Sequence, residues 1–194
     1  MATSRSYQAQ APFIRPVKTA DLEPLKDFLG KLSPGSLYFR FGRPCVPQWS
    51  DEKWAKLCQP DTRHSMGMVA TEVIAPGRYA IVGMARLVAE ANSQRAEFSM
   101  VVADHLQHQG LGTELMGALV NEARCRGLIE IYGDVLPSNH AMIRFCQGLG
   151  MVRSACPDDV RLYRMALRIR PQSRGVSLSS AAQALHRYTD VRAM

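Results

Sequence analysis

The chain has 194 residues, of which 46% are hydrophobic and 21% charged, and carries a formal net charge of +7. That length and balance suit one soluble domain with a full core rather than a disordered chain. No apolar run approaches the roughly 18 residues that a membrane-spanning helix needs, and no basic run reaches about five residues, which argues against a membrane protein and against nucleic acid as partner.

The five cysteines, Cys45, Cys58, Cys125, Cys146 and Cys156, are odd in number, scattered and without a Cys-x-x-Cys pair. Neither a zinc site nor a redox pair is expected of them, so no metal is predicted, and they read as small core residues in a reduced compartment. With no leader pattern in view, a cytoplasmic location is expected. The positive charge fits a polyphosphate ligand or an acidic protein partner.

Residues 1–12 read as a flexible tail and 13–170 as one domain. Phe13 to Val17 predicts an edge strand, with Pro16 unable to donate to a ladder. Thr19 or Asp21 caps a helix with Leu22, Leu25, Leu29 and Leu32 on one face, stopped by Ser33-Pro34-Gly35. A short aromatic segment, Ser36 to Phe41, packs or recognises something. Ser50 caps the next helix, which carries Trp54, Leu57 and Cys58 inward and ends near Pro60. Asp61-x-x-His64 is either a proton relay or an ordinary loop. Strands follow at Met66 to Thr71 and at Tyr79 to Val88, joined by the turn Pro76-Gly77-Arg78.

Residues 96 to 124 organise the rest. Ala96, Phe98, Met100 and Val102 alternate with Glu97, Ser99, Val101 and Ala103 as a strand. Leu111, Leu115, Met116, Leu119, Val120 and Ala123 share one face of a helix ended by Gly127. Between them lies Gln107-His108-Gln109-Gly110-Leu111-Gly112. A strand that turns through glycine into a helix suits phosphate: the first helical N–H groups lack partners, and the dipole adds about half a positive charge. Leu115 breaks a dinucleotide G-x-G-x-x-G, and no Gly-Lys-Ser/Thr follows for a P-loop.

The Gln107-x-x-Gly110-x-Gly112 pattern after a strand resembles the pyrophosphate loop of the GNAT N-acetyltransferases. The resemblance implies an α/β fold: a mixed, splayed central sheet of about seven strands with helices on both faces. It implies acetyl-CoA as co-substrate. Backbone groups of Met100, Val101 and Val102 would face its pantetheine, and Gln107, His108, Gln109, Gly110, Leu111, Gly112 and Thr113 would form the loop. Downstream, Ile129 to Val135 predicts a strand, and Asn139-x-x-Met142-x-x-x-Cys146-x-x-Leu149-Gly150 resembles the second GNAT signature. Asn139, Met142 and Cys146 are therefore cofactor-site candidates. Cys146 stands where the family often has a tyrosine acid for the leaving thiolate, so that route is in doubt here. Val160 to Ile169 predicts a last strand, paired in a hairpin with Met151 to Ser154. Residues 171–194 read as a tail or a short docked helix.

Leu32-Ser33-Pro34-x-Ser36-x-Tyr38-x-Arg40-Phe41 resembles the helical connector in the GNAT domains of bacterial protein lysine acetyltransferases. In that resemblance Glu97 falls on their catalytic glutamate, the general base; read from the residues alone, it is equally a solvated strand glutamate. The expected reaction is acetyl transfer to a primary amine of a protein lysine. The alternatives are a small-molecule amine as acceptor, or a CoA-binding regulator without turnover.

Overall fold

Alternating apolar strands and two amphipathic crossover helices build a single mixed sheet. The computed structural model describes residues 11–58 and 64–169. The strands are β1 (Phe13–Pro16), β2 (Ser65–Ala75), β3 (Arg78–Ala89), β4 (Arg95–Val102), β5 (Glu130–Val135), β6 (Val152–Ala155) and β7 (Tyr163–Arg168). Their spatial order is β1-β2-β3-β4-β5-β7-β6. The helices are α1 (Leu22–Gly30), α2 (Pro34–Phe41), α3 (Asp51–Cys58), α4 (Leu111–Cys125) and α5 (His140–Gly148). The first four strands pair antiparallel, β5 joins β4 in parallel across the α4 crossover, and β7 inserts between β5 and β6.

The strand period of two assigns each face. A Cβ on Gly83 would meet Leu115 of α4 at 2.9 Å, and one on Gly133 would meet Phe98 at 2.7 Å. Those residues share the α4 side with Leu87, Ala96 and Met100, all buried. On the other face, a Cβ on Gly67 would strike Val17 and approach the carbonyl of Leu57 in α3. Helices therefore cover both faces, as expected. The α4 helix ends as the sequence implies: Gly127 takes φ +72°, and Leu128 N donates to Ala123 O at 3.0 Å.

Three boundaries differ from the sequence reading. Ser33-Pro34, read as a stop, also starts α2: Ser33 Oγ accepts from Ser36 N at 3.2 Å and Pro34 takes the first turn, where its missing N–H costs nothing. β2 runs on to Ala75, past the expected Thr71, through register shifts at Ala70/Thr71 and Val73/Ala75. β7 begins at Tyr163 rather than Val160, because Asp159 closes a turn, accepting from Arg161 N at 2.9 Å.

Cys58, Cys146 and Cys156 are core residues, but Cys45 and Cys125 are exposed. Asp61, the proposed partner of His64, lies outside the described residues, as do both chain tails; His64 itself is exposed. No described helix is long and apolar enough to cross a membrane, and no described cluster of His, Cys, Asp or Glu could hold a metal.

Candidate active site

The sheet opens where the site lies. β4 and β5 share only the register pairs Arg95↔Glu130, Ala96↔Ile131 and Glu97↔Tyr132. Beyond Glu97, β4 continues to Val102 without β5. Ala103 N donates to Val82 O at 2.8 Å, toward β3. Backbone groups alternate sides along a strand, so the N–H groups of Met100 and Val102 point into the opening. The Val102 carbonyl confirms the direction, since Gln107 Nε2, coming from the loop beyond, donates to it at 3.1 Å.

The loop that follows is anchored by its own side chains. Gln107 Nε2 also donates to Ser36 Oγ at 3.1 Å, and Gln109 Nε2 to His105 O at 2.7 Å. The backbone N–H of Gln107 turns back to Asp104 O at 3.4 Å. The amides from His108 to Gly112 make no hydrogen bond among the described residues. They precede or open a 15-residue helix, the arrangement that suits an anion. Gly110 supplies the turn, at φ +92°. At Gly112 a Cβ would meet only ordinary contacts, Met100 at 3.5 Å and Phe145 at 3.6 Å, so packing on β4 and α5 does not itself demand a glycine there.

Glu97 lies at the last paired position, at the mouth of this opening. Its carboxyl makes no hydrogen bond or ion pair among the described residues. It reaches solvent, yet its pKa is raised. Loss of hydration is the main cause and repulsion from Asp134 the next, with Arg40 and Arg164 opposing. Asp134 stays ionised because Arg164 donates to both its oxygens at 2.8 Å. Tyr132, beside Glu97 in register, keeps its phenol proton, its pKa pushed up to about 12 by burial and by its hydrogen bond to Glu90. Sequence reasoning passed over Arg86 and treated Arg40 only as part of a pattern. Both come to the Glu97 side of the sheet, and the signal was Arg86 standing at an inward position of an otherwise apolar strand.

The chain matches the model of the Acetyltransferase (GNAT) family over residues 36–151. It is a GNAT-family acetyltransferase. It shares 33% identity over 156 residues with the acetyltransferase PA5475 of Pseudomonas aeruginosa, covering 79% of this chain and 83% of that one. The GNAT domain of Streptomyces lividans PAT superposes with a TM-score of 0.70 at 23% identity, over 83% of this chain and 96% of that domain. The spermidine N-acetyltransferase of Vibrio cholerae, solved with CoA and spermine, superposes with a TM-score of 0.64 at 15% identity, over 82% of this chain and 96% of its own. The co-substrate of this GNAT enzyme is acetyl-CoA, and the unbonded loop amides are a fit place for its diphosphate.

The second GNAT signature lies on α5. Asn139 Oδ1 accepts from Met142 N at 3.1 Å, so this side chain caps the helix. Met142 is half-buried, and Cys146 is fully enclosed with its thiol pushed up to about 12 by burial. A thiol so placed is neither nucleophile nor ready proton donor. It fills core space beneath the cleft. A cavity of about 820 Å³ lies elsewhere, between α1 and the β2–β3 hairpin, and touches the start of the loop at Asp104 and His105. The chemistry is better placed at the strand opening, where unused backbone donors and an unpaired carboxylate meet.

Proposed function

We propose that this GNAT enzyme moves the acetyl group of acetyl-CoA to the side-chain amine of a protein lysine, with Glu97 as general base. The observation that carries this reading is Glu97 itself, a carboxylate at the open end of the β4–β5 pairing that no structural partner uses. Amides from His108 to Gly112 would hold the diphosphate, that of Thr113 being spent on Gly110 O at 2.8 Å, while Met100, Val101 and Val102 would line the pantetheine arm.

Only about one lysine amine in a thousand is neutral near pH 7.4. Glu97, directly or through a water, takes the proton as the nitrogen attacks the thioester carbon. The C–N bond forms, the C–S bond breaks, and CoA departs with the sulfur's electron pair. An N–H of the opening, such as that of Val102, would stabilise the developing oxyanion. A thiol of pKa near 8.5 leaves with little help, so water can supply its proton. The Leu32 to Phe41 pattern, most of it folded as α2 against β4, supports a protein acceptor. A polyamine acceptor fits less well, because Arg40 and Arg86 would repel a polycation there.

The test is thiol release from acetyl-CoA with lysine peptides. Glu97→Gln should lower kcat by about 10²–10⁴-fold and leave acetyl-CoA affinity unchanged by calorimetry. A variant that turns over like wild type would remove Glu97 from the base role.

A further inference from the structure

Several buried or partly buried arginines among the described residues have acids of their own. Arg15 meets Asp21 at 2.7 Å, Arg95 meets Glu130 at 2.7 Å, and Arg164 meets Asp134 at 2.8 Å and Asp158 at 3.1 Å. Arg40 and Arg86 do not. The Arg40 guanidinium lies 4.7 Å from the Phe41 ring centroid and makes no hydrogen bond or ion pair among the described residues. Arg86 gives a single 3.2 Å bond to the neutral hydroxyl of Ser65. The two belong together. Arg86 stands opposite Ser99 on the β3–β4 ladder, one pleat from Glu97 on the same face, and α2, packed against β4, brings Arg40 within reach of the charges of both.

Arg40 is pushed down to about 10, first by loss of water, then by the charge of Arg86, with Glu97 opposing. Arg86 is likewise lowered by burial. Two half-buried cations that repel each other, with one shared carboxylate, leave a positive excess that an anion would offset. The diphosphate of acetyl-CoA is not that anion: its candidate loop lies past Val102, at the far end of β4.

We propose that Arg40 and Arg86 form a carboxylate-binding subsite of the acceptor pocket, so that the acceptor bears an acid group beside the amine to be acetylated. This rests on Glu97 as base, since Glu97 fixes where the amine stands. Guanidinium forks match a carboxylate with paired hydrogen bonds. The same cations lower the pKa of an ammonium that approaches Glu97, and so raise its neutral fraction. The carboxylate is that of an aspartate or glutamate flanking a protein lysine, or the acceptor's own if the acceptor is a free amino acid.

The experiment measures thiol release from acetyl-CoA with four acceptors. Two are lysine peptides that differ only in Asp against Asn beside the lysine; two are a free amino acid and its amide. The carboxylate member of at least one pair should be preferred by about tenfold or more in kcat/KM, carried mainly by KM. In Arg40→Gln that ratio should fall toward one, Arg40→Lys should restore part of it, and acetyl-CoA affinity by calorimetry should stay as in wild type. Arg86→Gln provides a second variant should Arg40→Gln fold poorly. Equal rates within both pairs, or a preference that survives both glutamine variants, overturns the subsite while lysine acetylation stands. A preference confined to the free amino acid upholds the subsite and overturns the protein acceptor. No turnover with any of the four overturns both.

Discussion

Glu97 is tuned by neighbours that the sequence separates widely. Its pKa is raised first by loss of hydration and then by the negative charge of Asp134, which Arg164 holds ionised. A general base works when deprotonated, so kcat/KM should rise with pH through the pKa of Glu97. Asp134→Asn removes a repelling charge and leaves Arg164 less neutralised; both changes favour ionised Glu97. The acid limb of the pH profile should therefore move to lower pH, and thermal stability should fall because, of its two ion-pair partners, Arg164 keeps only the exposed Asp158. An acid limb that stays in place would show that Asp134 does not set the base. Stability carries the opposite sign at Glu97. A carboxyl whose folded pKa is raised favours the folded state while protonated and loses that contribution as pH rises through it.

Helix α2 is tied by Asp104 to the loop proposed to hold acetyl-CoA. Its oxygens accept from Ser33 N at 2.9 Å, Ser33 Oγ at 2.7 Å and Ser36 Oγ at 2.7 Å, and Gln107 completes the tie through Ser36. These bonds hold Asp104 below the usual carboxylate range although burial works against them. The element that carries Arg40 is thus held by the segment proposed to grip acetyl-CoA. Asp104→Ala should raise KM for acetyl-CoA and for the acceptor together, with a smaller change in kcat. Losing about 1 kcal/mol of hydrogen bonding should lower Tm by about 2–4 °C. Steady-state kinetics in both substrates, with a thermal melt, checks this; a shift in one KM alone would mean that the tie does not couple the two sites.

This tie also marks how far the sequence could be read. Gln107-x-x-Gly110-x-Gly112 and the strand–turn–helix around it were legible because period and turn chemistry are local. So were the seven strands and the α4 and α5 faces. Ser33 was read as a terminator because its cap and its bond to Asp104 need partners, one of them 71 residues away. The nearness of Arg40 to Arg86 depends on α2 packing against β4, which no spacing encodes.

At the scale of the molecule, charge and topology point the same way. The net charge of +7 attracts a co-substrate made largely of phosphate, and the proposed acceptor acid adds a second negative partner. The parallel crossover through α4 puts the helix N-terminus and the β4–β5 opening side by side, so the attraction ends at unbonded amides rather than at a diffuse surface. Long-range steering is screened within a Debye length of about 10 Å at 0.1 M salt and about 3 Å at 1 M. Raising salt across that range should therefore lower kcat/KM for acetyl-CoA several-fold through slower encounter and weaker binding. kcat at saturation should change less, because the proton transfer proposed for Glu97 takes place at contact distance inside the cleft. Initial rates over a salt series, repeated with a neutral osmolyte to separate viscosity and exclusion effects, read this directly. A salt-independent kcat/KM would mean that encounter is not limiting and that the loop amides, without the surface charge, account for cofactor capture.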